Sequence, residues 1–260
     1  MGAFLTWERQ GAVVTLKMSR PETRNAISDH DAIEDFTENC ARIAGDISVR
    51  AVILTGEGNT FSSGGNIKAM RALADTEACS PLEIRDRYRT GIQRIPLALY
   101  HLEVPVIAAV NGAAIGAGMD LACMCDLRIA AESATFAESF VRLGIVPGDG
   151  GAWLLPRIVG ISVASEMLFT GSSIDAQTAL QHGLVSRVVP AADLLAHANE
   201  LAGRIANNPG TALRLTKKLM REAQHMRLES ALEMSAALQA LAHHTTEHRD
   251  AMAVLLASHR

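Results

Sequence analysis

Aromatic side chains are scarce in this chain of 260 residues: six Phe, two Trp and two Tyr make up 4% of it. That leaves little stacking surface for single-stranded nucleic acid or sugar rings. A basic excess is also missing. Lys and Arg number 24 against 28 Asp and Glu, a formal net charge of −4, which argues against the basic stripe of a nucleic-acid protein. Only four cysteines occur, Cys40, Cys79, Cys123 and Cys125. Cys123-Met124-Cys125 lacks the CxxC spacing of zinc and redox sites, so all four are expected to be reduced thiols that fill the core. His243, His244 and His248 read as an exposed polar face, and no metal is expected. No apolar run approaches the ~20 residues of a membrane span. Met1–Gln10 carries Glu8 and Arg9 where an exported chain would carry an apolar leader core. The expectation is a cytoplasmic enzyme or small-molecule binder with no nucleic-acid and no membrane partner. With 48% hydrophobic and 20% charged residues, material for a core is ample.

Strand-like and helix-like segments alternate. Ala12–Met18, Val49–Thr55, Val104–Val110, Leu127–Ala130 and Val185–Val189 are rich in β-branched residues and read as strands. Ser28, with Asp31 three residues on, resembles a capping box that opens a helix running to about Ala44. Another helix start is expected at Asn66. Pro81–Leu102 reads as a longer helix ended or kinked at Pro96. Small-residue turns precede helices near Met119 and Gly151, and Asp175 is expected to cap a helix ending at Gly183. From Ala191 the pattern is helical almost to the end, with a break at Asn207–Gly210. The alternation makes the fold class α/β. The division expected is a core over residues 1–195 and a helical region over 196–260.

The common nucleotide and hydrolase signatures are absent. There is no GxxxxGK[ST], no GxSxG and no HExxH, and Gly112, Gly116 and Gly118 have the wrong spacing for a dinucleotide fold. What stands out are two strand-to-helix junctions built of very small residues, Phe61–Lys68 (FSSGGNIK) and Ile115–Asp120 (IGAGMD). Each aims free backbone N–H groups beyond a strand end. Two such donors can hold a developing oxyanion, and equally, small residues there can simply allow tight packing.

Ser19–Ala26, Phe61–Met70, Val110–Ala130 and Phe136–Gly160, in that order and spacing, resemble the crotonase superfamily, the enoyl-CoA hydratase/isomerase group. The likeness covers about residues 10 to 190. It implies a crotonase-like spiral of ββα repeats with a C-terminal helical trimerisation region, assembled as a homotrimer or a dimer of trimers. It implies an acyl-CoA thioester as substrate, with coenzyme A entering as part of it and no separate cofactor. By position, the backbone N–H groups of Gly65 and Ala117 would form the oxyanion hole. Arg24, Asn25 and Ala26, with Gly65, Asn66, Ile67 and Lys68, would bind coenzyme A.

The sequence departs from the family where hydratases carry two glutamates. Asp120 stands at the first position and Phe140, which cannot transfer a proton, at the second. Glu138 would share the face of Phe140 on a strand but point away on a helix. Asp149, in Pro147–Gly151, is either a proton shuttle or the N-cap of the following helix. The catalytic candidates are therefore Asp120, Asp149 and Glu138. The expected activity is that of an enoyl-CoA hydratase-like lyase. An enoyl-CoA or dienoyl-CoA isomerase using Asp120 and Asp149 is the alternative, and a non-catalytic acyl-CoA binding protein a further one.

Overall fold

The computed structural model describes residues 3–66, 71 and 80–258. Its core is a six-stranded sheet, β1 (Leu5–Gln10), β2 (Val13–Met18), β3 (Ala51–Gly56), β5 (Val106–Val110), β7 (Leu127–Ala131) and β10 (Arg187–Val189), hydrogen-bonded in that order. β1 runs antiparallel to β2, and the others are parallel. β3 and β5 are buried along their whole length, as parallel strands covered on both faces must be. Their side chains alternate. Val52, Leu54, Val106 and Ala108 join the main core. Ile53, Ile107 and Ala109 face a second cluster closed by Leu194, Ala198 and Ala202 of a helix, α7 (Leu194–Ala206).

A smaller sheet supplies the second strand of each ββα repeat, which apolar patterning alone did not show. It consists of β4 (Thr60–Ser62), β6 (Ala113–Ile115), β8 (Thr135–Ala137) and β9 (Ser173–Asp175), in that order. β3, β5 and β7 of the first sheet are each followed directly by β4, β6 and β8 of the second, which makes the spiral. The other helices are α1 (His30–Gly45), α2 (Pro81–Thr90), α3 (Arg94–His101), α4 (Ala117–Met124), α5 (Gly151–Thr170), α6 (Ala176–Gln181), α8 (Gly210–Glu222), α9 (Leu228–His243) and α10 (Thr246–Ser258).

Several expectations need correction. Asp29, not Ser28, precedes α1 as its N-cap, and the Ser28 hydroxyl instead accepts the Asn66 N–H at 2.8 Å. The helix expected over Pro81–Leu102 is two helices broken at Gly91–Gln93; Pro96 sits in the first turn of α3, where its missing N–H breaks no helical bond. The helix expected from Asn66 lies outside the described residues. Asp175 does cap α6, accepting the Thr178 N–H at 2.8 Å. The boundary expected at 195/196 cuts through α7, which packs on the sheet as part of the core.

Helix α5 is, by length and composition, long and apolar enough to cross a membrane, contrary to the expectation that no such run exists. Gly160, at φ 79° and ψ 161°, breaks it into two halves, each too short to span a bilayer. Gly151, Leu155, Ala164 and Met167 bury one face of it. Helix α8 is latched to the core by charge. Lys217 Nζ donates to the Val104 carbonyl and to Asp126, both at 2.6 Å, and Arg221 donates to the other Asp126 oxygen at 3.0 Å. On α9 and α10, Leu228, Leu232, Leu241, Val254 and Leu256 stand exposed.

Candidate active site

Strand β4 leads into Ser63-Gly64-Gly65, and β6 into Gly116, the N-cap of α4. The two ends lie backbone to backbone. A Cβ on Gly64 (φ 81°) would run into the Ile115 carbonyl and lie 2.8 Å from the Ala117 nitrogen. Only glycine allows that approach. The amides of Ser63, Gly64 and Asn66 are taken by Arg24 O, Ser62 Oγ and Ser28 Oγ. Among the described residues the Gly65 N–H meets no acceptor. Ala117 is the first residue of α4, so its N–H has no intrahelical acceptor either. Both residues line one cavity of about 600 Å³, with Arg24, Ala26, Asn66 and Phe140. Arg142, which the sequence reading missed, lines it too.

Asn25 does not line this cavity. Its side chain is fully buried, accepting from the Arg20 N–H and donating to the Glu57 and Thr60 carbonyls at 3.0 and 2.9 Å. Of the stretch expected to bind coenzyme A, Arg24 and Ala26 line the cavity and the Asn25 side chain is turned away from it. Asn25 ties β4 to the Arg24 turn, where both residues hold left-handed backbone (φ 55° and 53°). Ile67 and Lys68 lie outside the described residues.

Behind the cavity wall sits a set of carboxylates. Asp120, on the first turn of α4, is fully buried, as is Glu138, between β8 and a short 3-10 turn at Ser139–Leu143. The Gly116 N–H donates to the Ala137 carbonyl at 2.8 Å, which draws the two segments together. Gly151 completes the fit. A Cβ there would overlap Asp120 Oδ1 and lie 3.0 Å from Glu138 Oε1. The open question of where Glu138 points is thus settled by the fold: it faces Asp120, while Phe140 turns to the cavity. Their polar neighbours are each other and the Gly151 N–H, and no other donor meets them among the described residues. Burial first, and then the charge of Glu138, push Asp120 well above the ordinary carboxylate range; burial raises Glu138 likewise. Two carboxylates buried side by side cannot both ionise, so the pair keeps a proton near neutral pH.

Asp149 is 3% exposed, and its Oδ1 lacks a partner among the described residues. The N-cap of α5 is Gly150, with no side-chain cap bond, so the capping role considered for Asp149 falls away. Burial raises its pKa to about 6. A carboxyl whose pKa is raised by folding stabilises the fold only while protonated, and that contribution is lost as pH rises through about 6. Asp149→Asn is therefore expected to be more stable than the parent at pH 8 by up to about 3 kcal/mol. The gap should vanish near pH 4. Chemical denaturation at the two pH values measures it, and a gap that does not narrow on acidification would disprove the assignment.

Two interleaved sheets wound as ββα turns, with two glycine-rich strand ends lining one cavity above buried carboxylates, define a crotonase-class α/β enzyme. The profile of the enoyl-CoA hydratase/isomerase family matches residues 8–256. The chain is 34% identical over 252 residues to a short-chain-enoyl-CoA hydratase of Clostridium acetobutylicum, covering 96% of this chain and 93% of that one. It is 34% identical over 249 residues to a 2,3-dehydroadipyl-CoA hydratase of Escherichia coli, covering 95% and 93%. The crystal structure of an enoyl-CoA hydratase from Bacillus anthracis superposes with a TM-score of 0.89 at 31% identity, covering 98% of this chain and 96% of that one. The chain belongs to the enoyl-CoA hydratase/isomerase family and is an enoyl-CoA hydratase-like enzyme.

Proposed function

We propose that the protein adds water across the double bond of a 2-enoyl-CoA thioester, with Asp120 and Glu138 moving the protons and Asp149 placed beside them. The observation that carries this is the buried Asp120–Glu138 pair, holding an acid and a base side by side behind the cavity wall. The thioester oxygen accepts the N–H groups of Gly65 and Ala117, and the N-terminus of α4 adds its partial positive charge. The ionised member of the pair takes a proton from water as its oxygen bonds to C3. The π electrons move to the thioester oxygen as an enolate. The protonated member then delivers its proton to C2, so the pair ends with the one proton it began with. Asp149 sets the charge beside them. Arg24 and Arg142 at the cavity face the phosphates of coenzyme A, which arrives as part of the substrate and serves in place of any separate cofactor. The exposed leucines of α9 and α10 are apolar surface suited to a homotrimer or a dimer of trimers. The free, buried thiols of Cys40, Cys123 and Cys125 suit a reducing cytoplasm.

Phe140 in the cavity wall, where hydratases carry the second glutamate, favours a second reading: proton movement along the acyl chain without addition of water. Crotonyl-CoA and a 3-enoyl-CoA incubated in deuterated water separate the two by mass spectrometry. A water adduct carrying one carbon-bound deuterium is the expected result. Double-bond migration without an adduct would overturn hydration in favour of isomerisation.

A further inference from the structure

The turn between α9 and α10 brings two imidazoles together. His243, the last residue of α9, and His248, in the first turn of α10, hold Nδ1 and Nε2 3.0 Å apart. We infer that the pair chelates one divalent transition-metal ion of square or octahedral preference, of the class of Ni²⁺ and Cu²⁺, and so staples α9 to α10. Neutral imidazole is a common ligand of such ions. The site is independent of the thioester chemistry, and it departs from the plain polar face expected of these histidines.

Two separations set the preference. Imidazole nitrogens bound at about 2.05 Å and at right angles lie about 2.9 Å apart, whereas the tetrahedral angle of zinc spreads them to about 3.4 Å. The observed 3.0 Å matches the right-angled edge. The rings agree. A straight N–H···N bond of this length would hold the ring centres about 5.3 Å apart. They are 4.6 Å apart, with their planes at 86°, so both rings bend toward a point off the line joining the nitrogens. Right-angled ligands would hold the ring centres about 4.5 Å apart. The backbone keeps the pair in place. The Thr245 hydroxyl donates to the Ala242 carbonyl at 2.8 Å and accepts the His248 N–H at 3.1 Å. One side chain thus closes α9 and opens α10, and such preorganisation lowers the cost of binding. Glu247 is turned away, accepting from the Gly210 and Thr211 amides and pairing with Arg50. No third His, Cys, Asp or Glu joins the pair among the described residues, so water completes the coordination. On binding, the proton between the two nitrogens moves through solvent to the far nitrogen of the ring that held it, and both rings bind neutral. The ion joins the two helices on which Leu232, Leu241, Val254 and Leu256 stand exposed, and so fixes the shape of that apolar surface.

Equilibrium dialysis of the tag-free, full-length protein against NiCl₂ tests the site. One Ni²⁺ per chain is expected, bound more tightly than Zn²⁺. Losing an outer-shell partner of a metal already costs about tenfold or more in affinity, so His243→Ala and His248→Ala should each weaken binding by at least that factor. His244→Ala, the neighbour outside the pair, should bind like the parent. Hydrogen exchange reads the staple itself: NiCl₂ should raise amide protection over Thr246–Ser258 in the parent and in His244→Ala, and leave His248→Ala unchanged. No bound Ni²⁺, binding untouched by both pair variants, or equal loss in His244→Ala would overturn the site. Tighter binding of Zn²⁺ would overturn the right-angled geometry, and binding without added protection would overturn the staple.

Discussion

Replacing Asp120 by Asn is expected to lower turnover of an enoyl-CoA by two to four orders of magnitude, the usual range for a lost acid–base group. The substitution keeps shape and volume at a fully buried position, so the fold has no cavity to collapse into. What it removes is one of the two carboxyls that share a proton. An amide beside Glu138 donates to it and cannot take the proton of water. Binding of a saturated acyl-CoA should stay within a few-fold, because the cavity assigned to coenzyme A is lined by other residues and Asp120 acts only at the reacting carbons. Steady-state kinetics and calorimetry on the same preparation give both numbers. A variant that turns over normally removes Asp120 from the mechanism. One that loses binding and turnover together shows a structural role instead.

The same substitution bears on the pH profile. In the parent protein burial and the charge of Glu138 hold Asp120 high, while burial and the charge of Asp149 hold Glu138 high against the lowering effect of its hydrogen bond with Asp120. With Asn at position 120 the higher-titrating carboxyl is gone, and only Glu138 is left of the pair to titrate. Any residual activity should therefore lose the basic limb that Asp120 gives the parent, a change that loss of packing alone would not produce.

How far the sequence anticipates this site depends on the length of the pattern each residue belongs to. β2 and β3 were legible because six residues of Val, Ile and Leu carry a clear apolar signal. The second sheet was not, because strands of three residues, such as Ala113–Ile115 and Thr135–Ala137, are too short to show alternation. Yet those strands place the chemistry. Glu138 leaves β8 just as a 3-10 turn begins, so neither helical nor strand periodicity fixes its direction, and only the fold turns it onto Asp120. Ser28 and Asp149 had the chemistry of helix caps, but Asp29 and Gly150 occupy those positions. The Ser28 hydroxyl is spent on Asn66 instead, and the Asp149 carboxylate is left without a cap bond. Tyr100 and His225 meet across 125 positions. No local pattern could have joined them.

The second large effect concerns geometry rather than charge. Gly64→Ala is expected to lower kcat by about 10²-fold, the cost of an ångström-scale misplacement. Alanine at φ 81° is strained, and its Cβ would press on the Ile115 carbonyl and stand 2.8 Å from the Ala117 nitrogen. The β4 end must then shift away from the start of α4. That moves the Gly65 amide away from that of Ala117, while Asp120 on α4 and Glu138 at the β8 end keep their places. A donor pair loses its advantage when its members no longer point at one atom, since stabilisation of a growing oxyanion depends on donors fixed before the charge appears. Gly64 thus separates two contributions that Asp120→Asn cannot. Thermal denaturation of Gly64→Ala should show a stability loss of about 1–3 kcal/mol from the strained backbone. Single-turnover kinetics should show the chemical step slowed even where the protein is fully folded. If kcat falls only in proportion to the folded fraction, the two strand ends are a packing device and the oxyanion assignment of Gly65 and Ala117 is wrong.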